Sequence, residues 1–512
     1  MTTFEKKLVI ATFSDTCDIF AQFLVLILFL MLFNSLDFAL FSPIVFIAYW
    51  FIFKNNLRLQ NLLIVVASYV FYGWWDWRFL ALILFSTVVD YTVGIVLAKQ
   101  NNQFRRNVLL WISILVNLGF LGFFKYYNFF LDNFITAFTF FGNDIQANSL
   151  DIILPVGISF YTFQTLSYTI DVYRKKLDPT KDFVVFSAFV SFFPQLVAGP
   201  IERATHLLPQ FTNKRKFDYL KAVDGMRQIL WGLFKKIVIA DNCAKYANTI
   251  FNNSHDYSGS TLAFGALFFA FQIYGDFSGY SDIAIGTSRL FGFDLKQNFA
   301  FPYFSRDIGE FWRRWHMSLS TWFRDYLYIP LGGSRGSKWN QVRNLFIIFI
   351  VSGFWHGANW TFIVWGALNA IYFLPLLLTN RNRKNLDTVA QNKNLPNLKE
   401  VFSILITFVL TVFSWIFFRA HSIDHAFSYI NRLFSKSLFS FPVFEKDDSA
   451  TLIVLLVVCF VIIEWIGREH QYAIERLGLN WNSKLRYMMY FTIIIMLFWF
   501  GGNDQQFIYF QF

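Results

Sequence analysis

Long apolar runs, separated by short polar or basic breaks, follow one another from residue 38 to residue 500. They lie at 38–53, 61–75, 79–98, 107–124, 152–173, 183–199, 222–240, 260–275, 344–378, 401–418, 451–466 and 487–500. About 20 apolar residues in a helix cross the hydrocarbon core of a bilayer. The run 344–378 is long enough for two short helices or one bent pair. The pattern predicts an all-α polytopic membrane protein with about 11–13 membrane helices.

The first 30 residues are predicted to be an N-terminal extension. Lys6 and Lys7 precede an apolar run from Ile19 to Phe33, but no small-residue cleavage site follows it. That run is short for a full membrane span. We therefore divide the chain into an extension, 1–30, and a single membrane domain, 31–512.

Basic clusters set the expected orientation of the helices. Those at 54–58 and 99–106 flank a hairpin with a Trp-rich tip at 74–77, and another lies at 174–176. Lys and Arg near membrane helices favour the cytoplasmic side. Counting crossings on this basis predicts that 129–141 is interfacial or re-entrant rather than a full span. The Asn/Lys/Arg-rich stretch 379–399 is predicted to be a disordered cytoplasmic linker.

Composition supports insertion in lipid. Hydrophobic residues make up 56% of the chain and charged residues only 15%, against about a quarter in soluble domains. The chain also holds 69 Phe and 17 Trp, more than one water-soluble core can cover. The net charge of +11 comes from basic residues dispersed between apolar runs, which favours lipid headgroups over nucleic acid as a partner.

Candidate chemistry concentrates at 272–369, where polar residues are denser than elsewhere. His356 follows the uncharged run 345–351 and stands between Gly353 and Gly357. An imidazole near its usual pKa of about 6.5 accepts a proton at neutral pH, so His356 is a candidate general base. A histidine that hydrogen-bonds across helices is an equally good interpretation from the residues alone.

His316 closes the sequence Trp312-Arg-Arg-Trp-His316. Neighbouring cations disfavour its protonated form and keep the imidazole available as a base or hydrogen-bond partner. Taken alone, the sequence fits an interface segment anchored by Trp and Arg better.

Other polar groups in this region have simpler interpretations. Asp276, Asp282 and Asp307 are expected to pair with nearby arginines. The segment 332–336 lacks the lysine and spacing of a P-loop and is expected to form a plain turn. Three dispersed cysteines and a lone His421/His425 pair provide no convincing metal-ligand spacing, so no metal centre is predicted.

Six longer motifs stand out along the chain: Phe192-Phe-Pro-Gln-Leu-Val-Ala-Gly-Pro-Ile201, Tyr274-Gly-Asp-Phe-Ser-Gly-Tyr-Ser-Asp282, Phe311-Trp-Arg-Arg-Trp-His316, Asp325-Tyr-Leu-Tyr-Ile-Pro-Leu-Gly-Gly-Ser334, Ser352-Gly-Phe-Trp-His-Gly-Ala-Asn-Trp360 and the terminal Phe507-Ile-Tyr-Phe-Gln-Phe512. They resemble the membrane-bound O-acyltransferase (MBOAT) family, in particular its bacterial branch of alginate and exopolysaccharide O-acetyltransferases. The resemblance runs from about residue 31 to the C-terminus, and its motifs occur in the family's order.

The resemblance implies a ring of membrane helices around a central cavity, in the bacterial cytoplasmic membrane. His356 matches the family's catalytic histidine, and His316 matches the position of its second catalytic residue, often an asparagine. The expected reaction carries an acetyl group from cytoplasmic acetyl-CoA, a substrate rather than a bound cofactor, to an extracytoplasmic polysaccharide, with a separate hydrolase-like transferase as partner. Arg313, Arg314, Arg335 and Asn298 are expected to bind the donor, the arginines through its phosphates.

Two alternatives remain open at this point. A sister branch of the family transfers D-alanine to teichoic acid from a carrier protein. A polysaccharide or lipid transporter without chemistry would also account for the apolar runs.

Overall fold

The computed structural model describes residues 31–141, 148–444, 449–502 and 505–508, and throughout these ranges the secondary structure is helical without strands. The prediction of an all-α fold is confirmed. The extension 1–30 lies outside the described residues.

The α-helices, in chain order, are α1 Leu36–Ile47, α2 Leu57–Asp76, α3 Leu80–Lys99, α4 Gln103–Leu121, α5 Tyr127–Phe140, α6 Ile158–Tyr173, α7 Phe183–Ser191, α8 Phe193–Leu196, α9 Ala204–Thr212, α10 Tyr219–Leu233, α11 Asp241–Asn252, α12 Gly259–Leu290, α13 Ile308–Arg314, α14 Met317–Phe323, α15 Lys338–His356, α16 Trp360–Leu378, α17 Leu398–Arg419, α18 Ile423–Leu433, α19 Ser449–Gly467 and α20 Ser483–Phe500. Wider π-helical turns follow several of them, at Ala48–Ile52, Gly122–Tyr126, Phe234–Ala240 and Arg324–Tyr328.

Six helical stretches in the described ranges are long and apolar enough to cross a membrane. They are Leu57–Lys99, Gln103–Phe140, Trp360–Leu378, Leu398–Arg419, Ser449–Gly467 and Ser483–Phe500. The chain is therefore a multi-pass membrane protein. The run 344–378 is confirmed as two helices, α15 and α16. The count of 11–13 membrane helices and their ring arrangement stay predictions.

Two predicted spans have different bounds in the structure. The run 183–199 is not one helix, because α7 ends at Ser191 and the non-helical Phe192 separates it from the short α8. Helix α12 continues to Leu290, well past the predicted end at 275, although its second half carries acidic residues. Buried lysines form ion pairs with two of these acidic side chains, Asp276 and Asp282, so their charges are compensated inside the bundle.

The pairing of these acids corrects the sequence analysis. Asp276 lies 2.8 Å from Lys236 Nζ, and Asp282 lies 2.5 Å from Lys235 Nζ, so both pair with lysines of the turn Phe234–Ala240 rather than with arginines. Asp307 caps α13 by accepting the Glu310 N–H at 2.7 Å. The prediction of arginine partners was wrong for Asp276 and Asp282, whereas Asp307 interacts electrostatically with Arg313 without a direct ion pair.

Helix α12 is the central helix of the bundle. It is 32 residues long, about 48 Å, and most of its side chains are buried. It packs directly against the backbone of α10: a Cβ on Gly232 would lie 2.6 Å from the Gly279 carbonyl oxygen, and one on Gly225 would lie 2.7 Å from that of Gly286. Small residues on both helices permit this close approach, as in other membrane bundles.

The segment 129–141 is not re-entrant. Helix α4, the π-helical turn Gly122–Tyr126 and α5 form one helical stretch of 38 residues. At about 1.5 Å per residue this stretch is longer than a hydrocarbon core of about 30 Å, so its last turns extend beyond the core. An unbroken helical stretch contains no fold-back, so the re-entrant alternative is wrong, whereas an interfacial position of 129–141 stays a prediction.

The linker 379–399 is ordered, contrary to the prediction. Arg306 forms an ion pair with Asp387 at 3.0 Å, and Arg468 donates to the carbonyls of Val389 and Ala390 at 3.0 and 2.8 Å. Val389 and Ala390 are buried. Arginines that are distant in sequence therefore hold this polar stretch in place, which composition alone does not indicate.

The linker also identifies the two ends of the bundle. Helix α15 starts at Lys338, whose Nζ lies 2.5 Å from Asn380 Oδ1 in the linker, and ends about 28 Å away at His356. At that far end, Asn359 donates to the carbonyl of His421, just after α17. We call the end that carries 379–397 the linker face and the end that carries Asn359 and His421 the distal face.

Candidate active site

His356 is the last residue of α15 and lies toward the distal face. Gly357 then adopts an extended conformation, and Asn359 caps the start of α16 by accepting the Thr361 N–H at 3.0 Å. The imidazole is 3% exposed and packs edge-on against Trp355, Trp365 and Phe418, with ring centroids 4.9, 5.2 and 5.4 Å away. The sequence places this histidine in an aromatic enclosure.

Close backbone packing fixes α15 against α16. A Cβ on Gly353 would lie 2.2 Å from the Phe362 carbonyl oxygen, and one on Gly366 would lie 2.4 Å from that of Phe349. No larger residue fits at either position without separating the helices. Gly353, which the sequence analysis noted near His356, therefore permits the close packing of α15 against α16.

Two consecutive residues of the π-helical turn Gly122–Tyr126 hold the end of α15. Lys125 Nζ donates to the carbonyls of Trp355 and His356 at 2.9 and 2.8 Å, and Tyr126 Oη donates to that of Phe354 at 3.0 Å. The last carbonyls of a helix lack intrahelical partners, and a cation there also complements the helix dipole. This contact orients the helix end that carries His356.

His316 occupies the N-cap position of α14 in a left-handed conformation, with φ of +43°. Such a backbone is uncommon for residues other than glycine and marks a constrained site. The imidazole is 1% exposed and lies edge-on to Phe277, with ring centroids 4.6 Å apart.

Asn298 connects His316 to its surroundings. Its Oδ1 accepts from Ser318 N–H at 3.2 Å and Ser318 Oγ at 2.9 Å, and it lies 3.2 Å from His316 Nδ1. Because a backbone N–H can only donate, these bonds identify the Asn298 atom as oxygen, and His316 Nδ1 must carry the proton. In the neutral imidazole, Nε2 is then the nitrogen with the lone pair.

The fold brings the two histidines together from motifs 40 residues apart in sequence. Their ring centroids are 6.4 Å apart, and both rings are buried. Phe160 and Trp355 complete the enclosure, with their centroids 6.5 and 6.1 Å from that of His316. Two neutral imidazoles in a water-poor aromatic site can accept and return protons close to one reacting group.

The residues predicted to bind the donor do not form one group. Asn298 is buried beside His316, whereas Arg335 is exposed in the turn 332–336. Arg313 donates to the carbonyls of Asn382 and Asn385 at 2.7 and 2.6 Å. Arg314 pairs with Glu310 at 3.0 Å and donates to the Asp387 carbonyl at 2.9 Å. Contact with phosphate stays a prediction for these arginines, two of which already hold the linker.

Electrostatics at the linker face reflect the same contacts. Hydrogen bonding from Arg306 lowers the pKa of the Asp387 carboxyl. Partial burial lowers the pKa of Arg313, which has no carboxylate in direct contact among the described residues. The segment 332–336 is the plain turn that was expected, with the Arg335 N–H bonded to the Gly332 carbonyl.

Two cavities lie beside the end of α15. The first includes Trp75, Lys125, Gly157, Phe160 and Trp355 in its wall. The second, which we call the Arg419 cavity, includes Gly357 in its wall. It is lined by Asn248, Asn252, Gly357, Ala358, Asn359, Phe362, Arg419, Ala420 and His421.

The sequence analysis missed Lys125, Asn248, Asn252 and Arg419 as residues near the site, because all four lie outside 272–369. For Lys125 there was a signal: it is a lone cation within a long apolar run, and such residues are rare and often functional. His421 and His425 stack with centroids 5.5 Å apart. Across the described ranges, no group of three or more His, Cys, Asp or Glu side chains is arranged to hold a metal ion.

The site thus consists of two buried histidines inside a multi-helix membrane bundle. Sequence comparison identifies the family of proteins to which this chain belongs. Residues 180–418 match the family model of the membrane-bound O-acyltransferases, and the chain belongs to this family. It is an acyltransferase.

Comparison with individual proteins extends beyond the matched region. The chain is 39% identical to a probable alginate O-acetylase of Azotobacter vinelandii, over 86% of each chain. It is 32% identical to the peptidoglycan O-acetyltransferase of Helicobacter pylori, over 95% of this chain and 99% of that one. It is 29% identical to a teichoic acid D-alanyltransferase of Streptococcus thermophilus, over 51% of this chain and 68% of that one.

Proposed function

We propose that this chain moves an acetyl group from cytoplasmic acetyl-CoA across the bacterial cytoplasmic membrane for the O-acetylation of an extracytoplasmic polysaccharide. The observation that carries the proposal is the pair of buried imidazoles, 6.4 Å apart, at the end of α15. The names of the relatives that are similar over most of their length, an alginate O-acetylase and a peptidoglycan O-acetyltransferase, support an acetyl donor and a glycan acceptor.

The charge distribution supports entry of the donor at the linker face. Arg306, Arg313, Arg314 and Arg468 all contact the linker. The positive-inside rule therefore assigns this face to the cytoplasm. Acetyl-CoA is large and anionic, so its phosphates stay on that side while its thioester end reaches into the bundle to His356.

The chemistry assigned to the pair is general base catalysis. His356 accepts the proton of the attacking hydroxyl as its oxygen forms a bond to the acetyl carbonyl carbon. The C–S bond of the thioester then breaks, and the CoA thiolate takes the proton back from the imidazolium. No proton is gained or lost overall, and the aromatic enclosure keeps water from competing as the nucleophile.

We assign His316 a positioning role, and its tautomer limits which groups it can orient. With Nδ1–H donated to Asn298, neutral His316 offers Nε2 as an acceptor. It can therefore orient a hydroxyl or thiol, whereas polarising the thioester carbonyl requires a second proton on the ring. We assign it the first role.

The test is acetyl transfer by the full chain in membrane vesicles, with radiolabelled acetyl-CoA on the linker side. The unmodified chain should give a labelled ester on added polysaccharide, with the separate hydrolase-like transferase present as the expected partner. His356→Ala should lower the rate about 10²–10⁴-fold, the usual contribution of a general base. His255→Ala, an exposed histidine, is the matched control. Normal ester formation by His356→Ala would contradict the assignment.

The alternatives predict different products in the same vesicles. A D-alanyltransferase would use a D-alanyl thioester of a carrier protein and leave acetyl-CoA untouched. The similarity to teichoic acid D-alanyltransferases covers only about half of this chain, which favours the acetyl donor. A transporter would move label without forming a covalent ester, and membership of an acyltransferase family does not support it.

A further inference from the structure

Three arginines from separate parts of the chain converge on Asp325, in the π-helical turn Arg324–Tyr328 that follows α14. Arg324 Nε and Arg203 Nη2 lie 2.8 and 3.1 Å from the two carboxylate oxygens of Asp325. Arg174, directly after α6, donates to the Asp325 carbonyl at 3.2 Å. We call Arg174, Arg203 and Arg324 the arginine cluster. Asp325 thus orders three guanidinium groups around one residue.

Tyr326 holds two of these guanidinium groups close together. The guanidinium carbons of Arg203 and Arg174 lie 4.6 and 5.5 Å from the centre of its ring. The Tyr326 hydroxyl donates to Asp171 Oδ2 at 2.7 Å, which fixes the ring. Cations this close repel one another, and an anion that contacts both would relieve the repulsion.

The Nη1 of Arg203 is a buried donor that forms no hydrogen bond within the described ranges, and the residue is 9% exposed. Glu202, the adjacent acid, is already occupied: its carboxylate accepts from His206 Nδ1 at 2.7 Å and from the Lys296 N–H at 2.6 Å. Burial lowers the pKa of the Arg203 guanidinium, although Asp325 opposes this shift. An anion at Nη1 would therefore satisfy a buried donor and stabilise the charge.

The cluster suits a phosphate group in particular. Arg324 is exposed and Arg174 is half-buried, so a ligand can approach from the solvent. The planar fork of a guanidinium matches two phosphate oxygens, and one phosphate has oxygens for more than one arginine. Lys175 and Lys176, both exposed, follow Arg174 directly and add to the local positive charge.

The cluster lies on the linker face. Two carbonyls just after the π-helical turn, those of Leu331 and Gly333, each accept at 3.1 Å from Asn344 in the second turn of α15. That end of α15 contacts the linker. Burial raises the pKa of Tyr328 in the same π-helical turn, and Arg383 of the linker opposes this shift. The cluster therefore lies on the face that the proposed function assigns to the cytoplasm.

The distance to the buried histidines suits a molecule with phosphate at one end and a thioester at the other. Helix α14 separates His316 from Arg324 and is about 10 Å long. Aromatic rings stack beside it, since Trp322 lies 5.0 Å from Tyr326 and 4.0 Å from Phe163, centroid to centroid. A phosphate held by the cluster would leave the rest of such a molecule to extend along α14 toward His316.

We propose that the arginine cluster is a phosphate-binding site. Two kinds of molecule present phosphate at this face, the coenzyme of the thioester donor and the headgroups of membrane lipids, and the short distance to His316 favours the coenzyme. The coenzyme as source rests on the proposed function, whereas phosphate binding itself can be measured without acyl transfer.

The experiment measures binding to the full chain in nanodiscs of phosphatidylcholine. The two probes are coenzyme A and pantetheine, which carries the same thiol arm without phosphate. The unmodified chain should bind coenzyme A about tenfold or more tightly than pantetheine, and the preference should shrink as the salt concentration rises.

Variants then locate the contact. Arg203→Gln should weaken coenzyme A binding about tenfold and leave pantetheine binding unchanged, the effect of one charge-assisted contact. Arg324→Gln, an exposed change that spares the fold, should weaken it about two- to fivefold. Arg476→Gln is the matched control, since Arg476 is exposed between α19 and α20 at the same face. Equal losses in all three variants would overturn the assignment to the cluster.

A second arm separates the coenzyme from a lipid headgroup. A lipid source predicts equal affinity for the two probes, together with phosphatidylglycerol that the unmodified chain retains in detergent and Arg203→Gln loses, as measured by native mass spectrometry. Neither phosphate-dependent binding of coenzyme A nor Arg203-dependent retention of lipid would overturn the phosphate site.

The fate of this inference is separable from that of the proposed function. His356→Ala should bind coenzyme A with the same preference over pantetheine, because the histidine is remote from the cluster. Phosphate-dependent binding by a chain that transfers no acetyl group would contradict the proposed function and support the phosphate site.

Discussion

Lys125 Nζ lies 2.8 Å from the carbonyl oxygen of His356, although 231 residues separate them in sequence. The same nitrogen reaches the Trp355 carbonyl, so one ammonium group satisfies two of the last carbonyls of α15. The neighbouring Tyr126 donates to Phe354 because the π-helical turn brings both side chains to α15. Such turns are frequent at functional sites.

We expect Lys125→Met to reduce acetyl transfer by about 10–100-fold, because an ångström-scale shift of a catalytic group costs about that much. Lys125→Arg, which keeps a cationic donor, should recover part of the rate. The loss should appear in kcat rather than in KM for acetyl-CoA, as expected of a residue that positions the base. Lys176→Met, an exposed change at the linker face, is the control. A normal kcat in Lys125→Met would show that the end of α15 keeps its position without the contact from Lys125.

Substitutions of His316 separate its backbone from its side chain. Asn tolerates the left-handed backbone and keeps hydrogen-bonding capacity, so His316→Asn should retain part of the activity. Gly tolerates the backbone but has no side chain, so His316→Gly should fold and be inactive. Leu lacks both properties, and His316→Leu should be inactive and less stable. Thermal unfolding in detergent and acetyl transfer are measured together; full activity of His316→Gly would remove the histidine from the reaction.

Much of the architecture followed from the sequence because apolar periodicity is local. The α15–α16 hairpin was predictable from a single segment, whereas the catalytic roles of His356 and His316 rest on the family resemblance and stay predictions. Partners distant in sequence were not predictable: Lys125, Arg419 and the ion pairs of Asp276 and Asp282 depend on which helices meet. The linker shows the same limit, since its composition resembles disorder and its order comes from Arg306 and Arg468 elsewhere in the chain.

Two glycine-to-alanine changes, one in the α15–α16 contact and one outside it, should have opposite effects on stability. Gly353→Ala should destabilise the protein by about 1–3 kcal/mol, since its Cβ would lie 2.2 Å from the Phe362 carbonyl oxygen and the helices must separate. Gly119→Ala, in α4, meets nothing within 4 Å and should stabilise by up to about 1 kcal/mol through helix propensity. Thermal unfolding of the two variants in the same detergent measures the difference, and a stable, fully active Gly353→Ala would contradict the close packing.

Arg313 and Arg335 test which arginines serve the donor. Arg313→Ala should lower the unfolding temperature because two linker carbonyls lose their donor. Arg335→Ala changes an exposed turn and should leave stability unchanged. If Arg335 binds the phosphates of acetyl-CoA, the KM for acetyl-CoA should rise in that variant and the effect should weaken at high salt. An unchanged KM would remove Arg335 from the donor site.

Sidedness is the last prediction, because the direction of transfer depends on it. The linker carries several basic residues next to the ends of α16 and α17, and the positive-inside rule keeps such segments in the cytoplasm. The three native cysteines are first replaced, and a single cysteine is then introduced at Lys384 in the linker or at Phe441 between α18 and α19; both positions are exposed. In intact cells an impermeant thiol reagent should label Phe441→Cys but not Lys384→Cys, and both should react after lysis. Labelling of Lys384→Cys in intact cells would place the linker outside and the Arg419 cavity inside. Acetyl-CoA would then have no access to the linker face, and the proposed direction of transfer would be reversed.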